Sequence, residues 1–423
     1  MNMGWLHRNP WTMVPARQAA ADARPRGVWW VTSMFSKTGL AVRDTAAAAG
    51  KGAGRLANVL ALCLLASVLA GCQTSTTGLL TPVAADIAPQ QTRTILAVTT
   101  RKPDPQKGKG FLFGGDRDTQ VHFVNLAMSM PPGRIPGTLP VNRSKPDPAK
   151  DITLVKAEEI TYPEFKAQVA AAPVAFGKPK PRALVFTHGY NTQFDESVVR
   201  FAQIVDDTRF QGLPVLFSWP SRGVTAGYGY DKDSANYSRD AMQQLLNALA
   251  AEPNIGGIDI FAHSMGGWLT METLRQIAIS KDAAILDRIG TVVLAAPDVD
   301  FDVFRTQISQ LGALRGRLKV YVSSDDRALQ ISRKLFGGKI RTGETTDIAQ
   351  FRALGVEAHD ISGVKGGIGK NHNKAFGDAT TIASIGQSLS AERTDTSLVT
   401  GLESLMLAVP RLDNGLLTAS ARQ

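Results

Sequence analysis

From residue 182 onward, short apolar runs alternate with segments of helical spacing, and this alternation constrains the fold more than any other feature of the chain. "ALVFT" (183–187), "LPVLFSWPS" (213–221), "GIDIFA" (257–262), "RIGTVVLAAPD" (288–298) and "LKVYVSSDD" (318–326) read as strands. Between them, "ESVVRFAQIVDDTRF" puts Val198, Phe201, Ala202 and Val205 on one helical face, and "DAMQQLLNALAAE" and "MGGWLTMETLRQIAI" continue the pattern. Strands that are apolar throughout, rather than at every second position, are buried on both faces. The prediction is an α/β fold with a mostly parallel central sheet and helices on both faces.

The chain upstream is less regular. "TILAVTTRK" (94–102) and "VHFVNLAMSMP" (121–131) read as strands, while "PDPQKGKGFLFGGDRD" (103–118) and "PPGRIPGTLPVNRSKPDPAK" (131–150) read as loop and irregular chain. Further upstream, Lys51 and Arg55 precede an apolar run from Leu56 to Leu69, and Ala70-Gly71 lead into Cys72. A charged start, a short apolar stretch and small residues before a cleavage point make a secretory signal, and the run is short for a membrane span. "LAGC" resembles the bacterial lipobox, which implies that Cys72 is lipidated and begins the mature chain. Gln73 after it, by resemblance to Gram-negative sorting signals, implies an outer-membrane lipoprotein facing the periplasm. The other cysteine, Cys63, lies in the apolar run, so no disulfide is expected. Fifty residues ahead of such a signal are unusual, and Met34 is an alternative start. The expected organisation is an extension and signal over 1–71, a Thr/Pro/Gln/Ala-rich tether over 72–93, an α/β domain over 94–388 and a Ser/Thr-rich tail over 389–423.

Charge adds little. The chain carries 47 Lys+Arg against 37 Asp+Glu, a net +10, but eight of the basic residues and only two acids precede residue 72. The 39 basic and 35 acidic residues that follow form no basic block with interleaved aromatics, so no nucleic-acid partner is expected.

The residues that carry chemistry begin at "FAHSMGG" (261–267). Ser264 sits between a strand and a helix, with small Ala262 and Gly266 two positions either side. That is what a tight, strained turn presenting a nucleophile needs. A serine hydroxyl also needs a general base and an acid to orient it, in the chain order Ser, acid, His. His7, His122, His188 and His263 all precede Ser264, leaving His359 within a strand pattern and His372 in the glycine-rich "GGIGKNHNKAF". His372, free to reach the C-terminal edge of the sheet, is the expected base. Asp325 and Asp326 end a strand at that edge and either could orient it, the other being solvated. Asp298, Asp300 and Asp302 in "APDVDFD" are the rivals, read as a solvated loop, and they lack further ligands at metal spacing. For the oxyanion, the N–H of Met265 opens the helix after the serine, and "HGYN" (188–191) offers the N–H of Tyr190 beside Gly189.

These segments, together with "PVLFSWPSRG", "YDKDSANYSRD", "YVSSDDRALQISRKLFGG" and the early "VTTRK", resemble in order a bacterial α/β-hydrolase family of undefined biological role. The resemblance spans about residues 93–388. In its pattern the acid directly precedes a basic residue and Ala-Leu, which selects Asp326 over Asp325. The late His before a small polar pair and an aromatic maps onto His372. Family members commonly carry Asn after Ser-Met-Gly, where this chain has Gly267. The resemblance implies a serine hydrolase of the carboxylic-ester type that needs no cofactor. The same constellation serves peptidases and acyltransferases, and a non-catalytic lipoprotein on this scaffold would bind a partner instead. "SRGVTAGYGYDKDSANYS" (221–238) and "DFDVFRTQISQLGALRG" are the expected borders of the pocket, its substrate a small-molecule or lipid ester.

Overall fold

A computed structural model of the chain describes residues 77–83, 91–105, 107–172, 179–335, 338–365 and 371–390. The apolar run 56–69, Cys63 and Cys72, Met34 and the tail beyond residue 390 lie outside the described residues. Among the described residues no helix is long and apolar enough to cross a membrane.

Nine strands form one sheet: β1 (Thr92–Pro103), β2 (Phe113–Ser129), β3 (Thr153–Ile160), β4 (Ala183–Thr187), β5 (Leu213–Ser218), β6 (Ile258–His263), β7 (Ile289–Ala295), β8 (Leu318–Val322) and β9 (Glu357–Asp360). Their order across the sheet is β3-β2-β1-β5-β4-β6-β7-β8-β9. The pairs β1–β2 and β2–β3 are antiparallel and every other pair is parallel. The expected α/β-hydrolase fold is therefore present. Central strands show why the sequence reads as it does: all residues of β4 and β6 are buried.

The helices are α1 (Tyr162–Ala170), α2 (Phe194–Asp207), α3 (Tyr228–Tyr237), α4 (Arg239–Ala250), α5 (Met265–Ser280), α6 (Phe301–Gln310), α7 (Arg327–Leu335) and α8 (Ala379–Ser390), with shorter turns between them. On one face of the sheet, α2 and α8 pack together, and Val198, Phe201, Ala202 and Val205 of α2 are all buried as their spacing requires. On the other face, α5 packs against α3, α4 and α6. The glycine-rich stretch expected to be loop is partly strand, since β2 begins at Phe113. A Cβ on Gly115 would lie 2.8 Å from the Arg222 backbone, so this glycine marks a close approach of two segments of the chain, not a turn.

The expected tether also differs. Leu79 and Leu80 are buried in the core on the α2 face, Leu79 N–H donates to Asp195 Oδ2 at 2.7 Å, and Pro82 bridges to Leu154 of β3. Apolar residues placed among hydrophilic ones here serve the domain core. Leu80→Ala should therefore lower the unfolding free energy by about 2–4 kcal/mol. A tether residue would change it by no more than about 0.5 kcal/mol, and urea titration of the two proteins separates these outcomes.

Candidate active site

β6 ends at His263 and α5 begins at Met265, so Ser264 alone makes the turn between them. Its backbone sits at φ 53° and ψ −119°, a conformation that costs an L-residue about 1–3 kcal/mol. Neighbours hold it there. Ser264 N–H donates to Ala295 O at 3.0 Å, and Ser264 O accepts from Gly267 N at 2.9 Å and Asp298 N at 3.1 Å. A Cβ on Gly266 would meet His188 O at 2.5 Å and Thr187 O at 2.6 Å, so only glycine fits two positions after the serine. A Cβ on Gly267 would come within 3.1 Å of Pro297 Cβ, a tight approach that the glycine relieves.

Asp326 and His372 are brought together. His372 Nδ1 lies 2.6 Å from Asp326 Oδ2. The other carboxylate oxygen accepts from Ala328 N at 3.0 Å and Leu329 N at 3.1 Å, capping α7 and fixing the acid in a fully buried position. An ionised carboxylate only accepts, so the hydrogen sits on Nδ1, and Nε2 keeps its lone pair. Asp325, with its side chain 45% exposed, is the more solvated of the two carboxylates, but it is not idle. Lys374 Nζ, itself buried, donates to its two oxygens at 2.6 and 2.8 Å and to Ser362 O at 2.7 Å, and Asn371 Nδ2 reaches Asp325 at 3.1 Å. Burial opposes ionisation of Asp325, but Lys374 and Ser323 outweigh it and hold its carboxyl below the ordinary value. Adjacent carboxylates thus divide the work: one meets the imidazole, the other anchors the loop that carries it.

His359 lies on β9, stacked on Tyr321 at 4.8 Å and 2.7 Å from Glu357, with no place in the wall around Ser264. The three acids of "APDVDFD" do not form the solvated loop expected. Asp298 is buried, accepting from Tyr228 OH at 3.0 Å and Ser332 Oγ at 2.9 Å beside Arg341. Asp300 caps α6, and exposed Asp302 faces Lys339. Among the described residues no group of His, Cys, Asp and Glu is placed to hold a metal.

The loop over Ser264 is built on a polar cluster that the sequence analysis did not assign. A Cβ on Gly189 would lie 3.0 Å from Ser264 Cβ, which places "HGYN" directly above the serine. Beneath it, the fully buried Arg101 of β1 donates to Gly114 O (3.0 Å), Ser221 O (2.8 Å), Thr192 O (2.8 Å) and Ser218 Oγ (3.0 Å), with His188 Nε2 at 3.2 Å. Burial, followed by the Arg101 charge, pushes His188 down to about 3, so it stays neutral as an acceptor for the guanidinium. The N–H groups of Asn191 and Thr192 are taken by Asp231 (3.1 Å) and Ser221 (3.0 Å). His263 lies against the segment that carries His372, its Nε2 3.2 Å from His372 O and its ring against Phe376. Burial and the nearby His372 hold His263 well below its ordinary value.

Ser264 and His372 share a cavity of about 370 Å³ with Tyr190, Tyr228, Leu329 and Ile331. A second cavity of about 500 Å³ adjoins it, sharing Tyr190 and His372 and lined further by Arg143, Glu196 and Arg200. The expected border 221–238 supplies Thr225, Ala226, Tyr228 and Gly229 to the first cavity. The second expected border does not contribute: α6 stays outside and α7 takes its place.

The two neutral histidines have a consequence for stability. His188, with its pKa depressed to about 3, binds a proton less readily in the folded than in the unfolded chain. Its stabilising contribution is thus complete above the ordinary histidine range and is lost as pH falls toward about 3. The stability advantage of the wild type over His188→Gln should narrow by about 1.4 kcal/mol per pH unit between about pH 6 and about pH 4. Denaturant titrations at several pH values measure it, and a constant gap would show that His188 takes up protons normally.

Known proteins add a family. An uncharacterized protein of Nostoc sp. is 23% identical over 197 residues, covering 38% of this chain and 47% of its own, so the chain spans about half the length of that curated relative. Among solved structures, a cutinase-like protein from Cryptococcus sp. is 14% identical with a TM-score of 0.30, covering 50% of this chain and 94% of its own. A carboxylesterase from Bacillus subtilis is 10% identical with a TM-score of 0.30, covering 51% and 85%. A model of the alpha/beta hydrolases of unknown function grouped as DUF900 matches residues 172–393, more than half of the chain and the whole stretch from the strand before "HGYN" to α8. The chain is a member of that α/β-hydrolase family.

Proposed function

We propose that the protein is a serine hydrolase of carboxylic esters in which Ser264 is the nucleophile, His372 the base, Asp326 the orienting acid, and the N–H groups of Met265 and Tyr190 the oxyanion donors. The observation that carries this reading is the 2.6 Å pair of His372 Nδ1 and Asp326 Oδ2 at a cavity shared with Ser264. With Nδ1–H engaged, Nε2 accepts the Ser264 proton as Oγ attacks the ester carbon. The resulting oxyanion meets Met265 N–H, which as the first residue of α5 has no acceptor within its own helix, and Tyr190 N–H from the loop above. The imidazolium then protonates the leaving alcohol, the acyl group stays on Ser264, and water attacks it by the same route. The chemistry requires no cofactor.

The two adjoining cavities suit the two halves of an ester. The one lined by Leu329, Ile331 and Leu335 accepts an apolar acyl chain, and the other, with Arg143, Glu196 and Arg200, a polar leaving group. We further propose that Cys72 carries a lipid anchor that holds the domain at the outer membrane on its periplasmic side, on the strength of the "LAGC" signal and the charged, apolar and small residues before it.

Two experiments test these assignments. A fluorophosphonate probe should label the wild type and not Ser264→Ala, and His372→Ala and Asp326→Asn should slow hydrolysis of p-nitrophenyl esters by roughly 10³–10⁴. Labelling of Ser264→Ala at the wild-type rate would place the nucleophile elsewhere. In a Gram-negative host, Cys72→Ser should move the protein from the membrane to the soluble fraction and abolish incorporation of labelled palmitate. Unchanged palmitate incorporation would remove the anchor from that position.

A further inference from the structure

Five large aliphatic side chains are exposed among the described residues, and three of them lie within one stretch of ten: Ile331 (41%), Leu335 (67%) and Ile340 (52%). The helix that carries two of them is amphipathic in an unusual sense. Arg327, Ile331, Lys334 and Leu335 share one exposed face of α7, while Leu329 and Ser332 are buried on the other. Gly338, Lys339 and Ile340 follow, all exposed. Ile331 and Leu335 also line the cavity of Ser264, so this apolar face is the rim of its mouth.

Exposed cations outnumber exposed acids around it. Arg327 and Lys334 form no ion pair among the described residues. Lys339 reaches only Asp302, at 3.7 Å with both side chains about two-thirds exposed or more, and Arg333 reaches Glu344 at 3.5 Å. Exposed aliphatic side chains among a surplus of cations suit an anionic lipid interface, where the aliphatic groups enter the acyl boundary and the cations meet headgroups. A second copy of the chain suits the patch less well, because a two-fold contact would set Arg327, Lys334 and Lys339 of one molecule against the same cations of the next.

We infer that α7, with Gly338, Lys339 and Ile340, docks on an anionic lipid bilayer, with the Ser264 cavity opening onto it. The docking stands independently of the chemistry of Ser264; its consequence, that the ester substrate is a lipid entering from the membrane plane, rests on the hydrolase reading. The geometry also adds to a lipid anchor at Cys72 a second contact, one that would fix which side of the domain faces the membrane.

Hydrogen exchange resolved by mass spectrometry tests this on the full chain. The apolar run 56–69 can bring the chain to any vesicle, so the readout is local: peptides covering 327–335 and 338–341. With vesicles containing phosphatidylglycerol, exchange in these peptides should slow by about tenfold or more, and about 0.5 M salt should reverse it by screening. Pure phosphatidylcholine vesicles, and the Lys334→Glu, Lys339→Glu double variant, should show no such slowing. Ser264→Ala should be protected as the wild type is, so that a failure of the hydrolase reading and a failure of docking are read separately. Exchange unchanged on phosphatidylglycerol vesicles, equal slowing on phosphatidylcholine, or slowing without vesicles as protein concentration rises would each overturn the inference, the last in favour of self-association.

Discussion

A guanidinium with no exposure to water anchors the catalytic edge of this molecule. Arg101 reaches from β1 to the carbonyls of Gly114, Ser221 and Thr192, to the Ser218 hydroxyl and to His188, tying four separate pieces of chain to one point. Such a group is stable in the interior only if its donors are satisfied and its charge is answered. Asp231 supplies the charge from α3 and also accepts from Asn191 N. The loop over Ser264 therefore cannot move without breaking several buried hydrogen bonds at once. Burial lowers Arg101 itself to about 10, a measure of how much solvation it gives up.

The other half of the site depends on a second buried cation. Lys374 joins Asp325 to the carbonyl of Ser362, fixing the loop two residues after His372, while Asp326 fixes the imidazole itself. His263 holds the same loop from below through His372 O. The proposed chemistry needs rigid support of this kind, since a strained Ser264 would gain nothing from a base free to wander.

How much of this was legible follows from the range of each signal. The parallel strands and the Ser264 turn are local patterns, continuous apolar runs and small residues at fixed offsets, and both read directly from the sequence. His372 was selected by chain order and loop chemistry, and Asp326 by resemblance, because two adjacent carboxylates at a strand end look alike until Lys374 is placed. Arg101, Asp231 and Lys374 were not assigned roles: their partners lie far away in the chain, and no local spacing announces them. Two misses did have signals. Thr161 and Glu164 form a capping box, with Pro163 in the first turn, which marks the start of α1. Leu79-Leu80 within a hydrophilic stretch marked chain that belongs to the core. β3 was hidden for a different reason: as the edge strand of the sheet it carries Lys156, Glu158 and Glu159, and its apolar pattern is thin.

The central claim is that Ser264 carries the acyl group between two half-reactions. The most direct measurement is rapid-quench mass spectrometry of the protein mixed with a p-nitrophenyl ester, with the modified peptide sequenced. The account predicts one acyl group, on Ser264 alone, appearing with the first turnover and disappearing as substrate is exhausted. Ester hydrolysis with no acyl group on Ser264, or with the group on another residue, would contradict it.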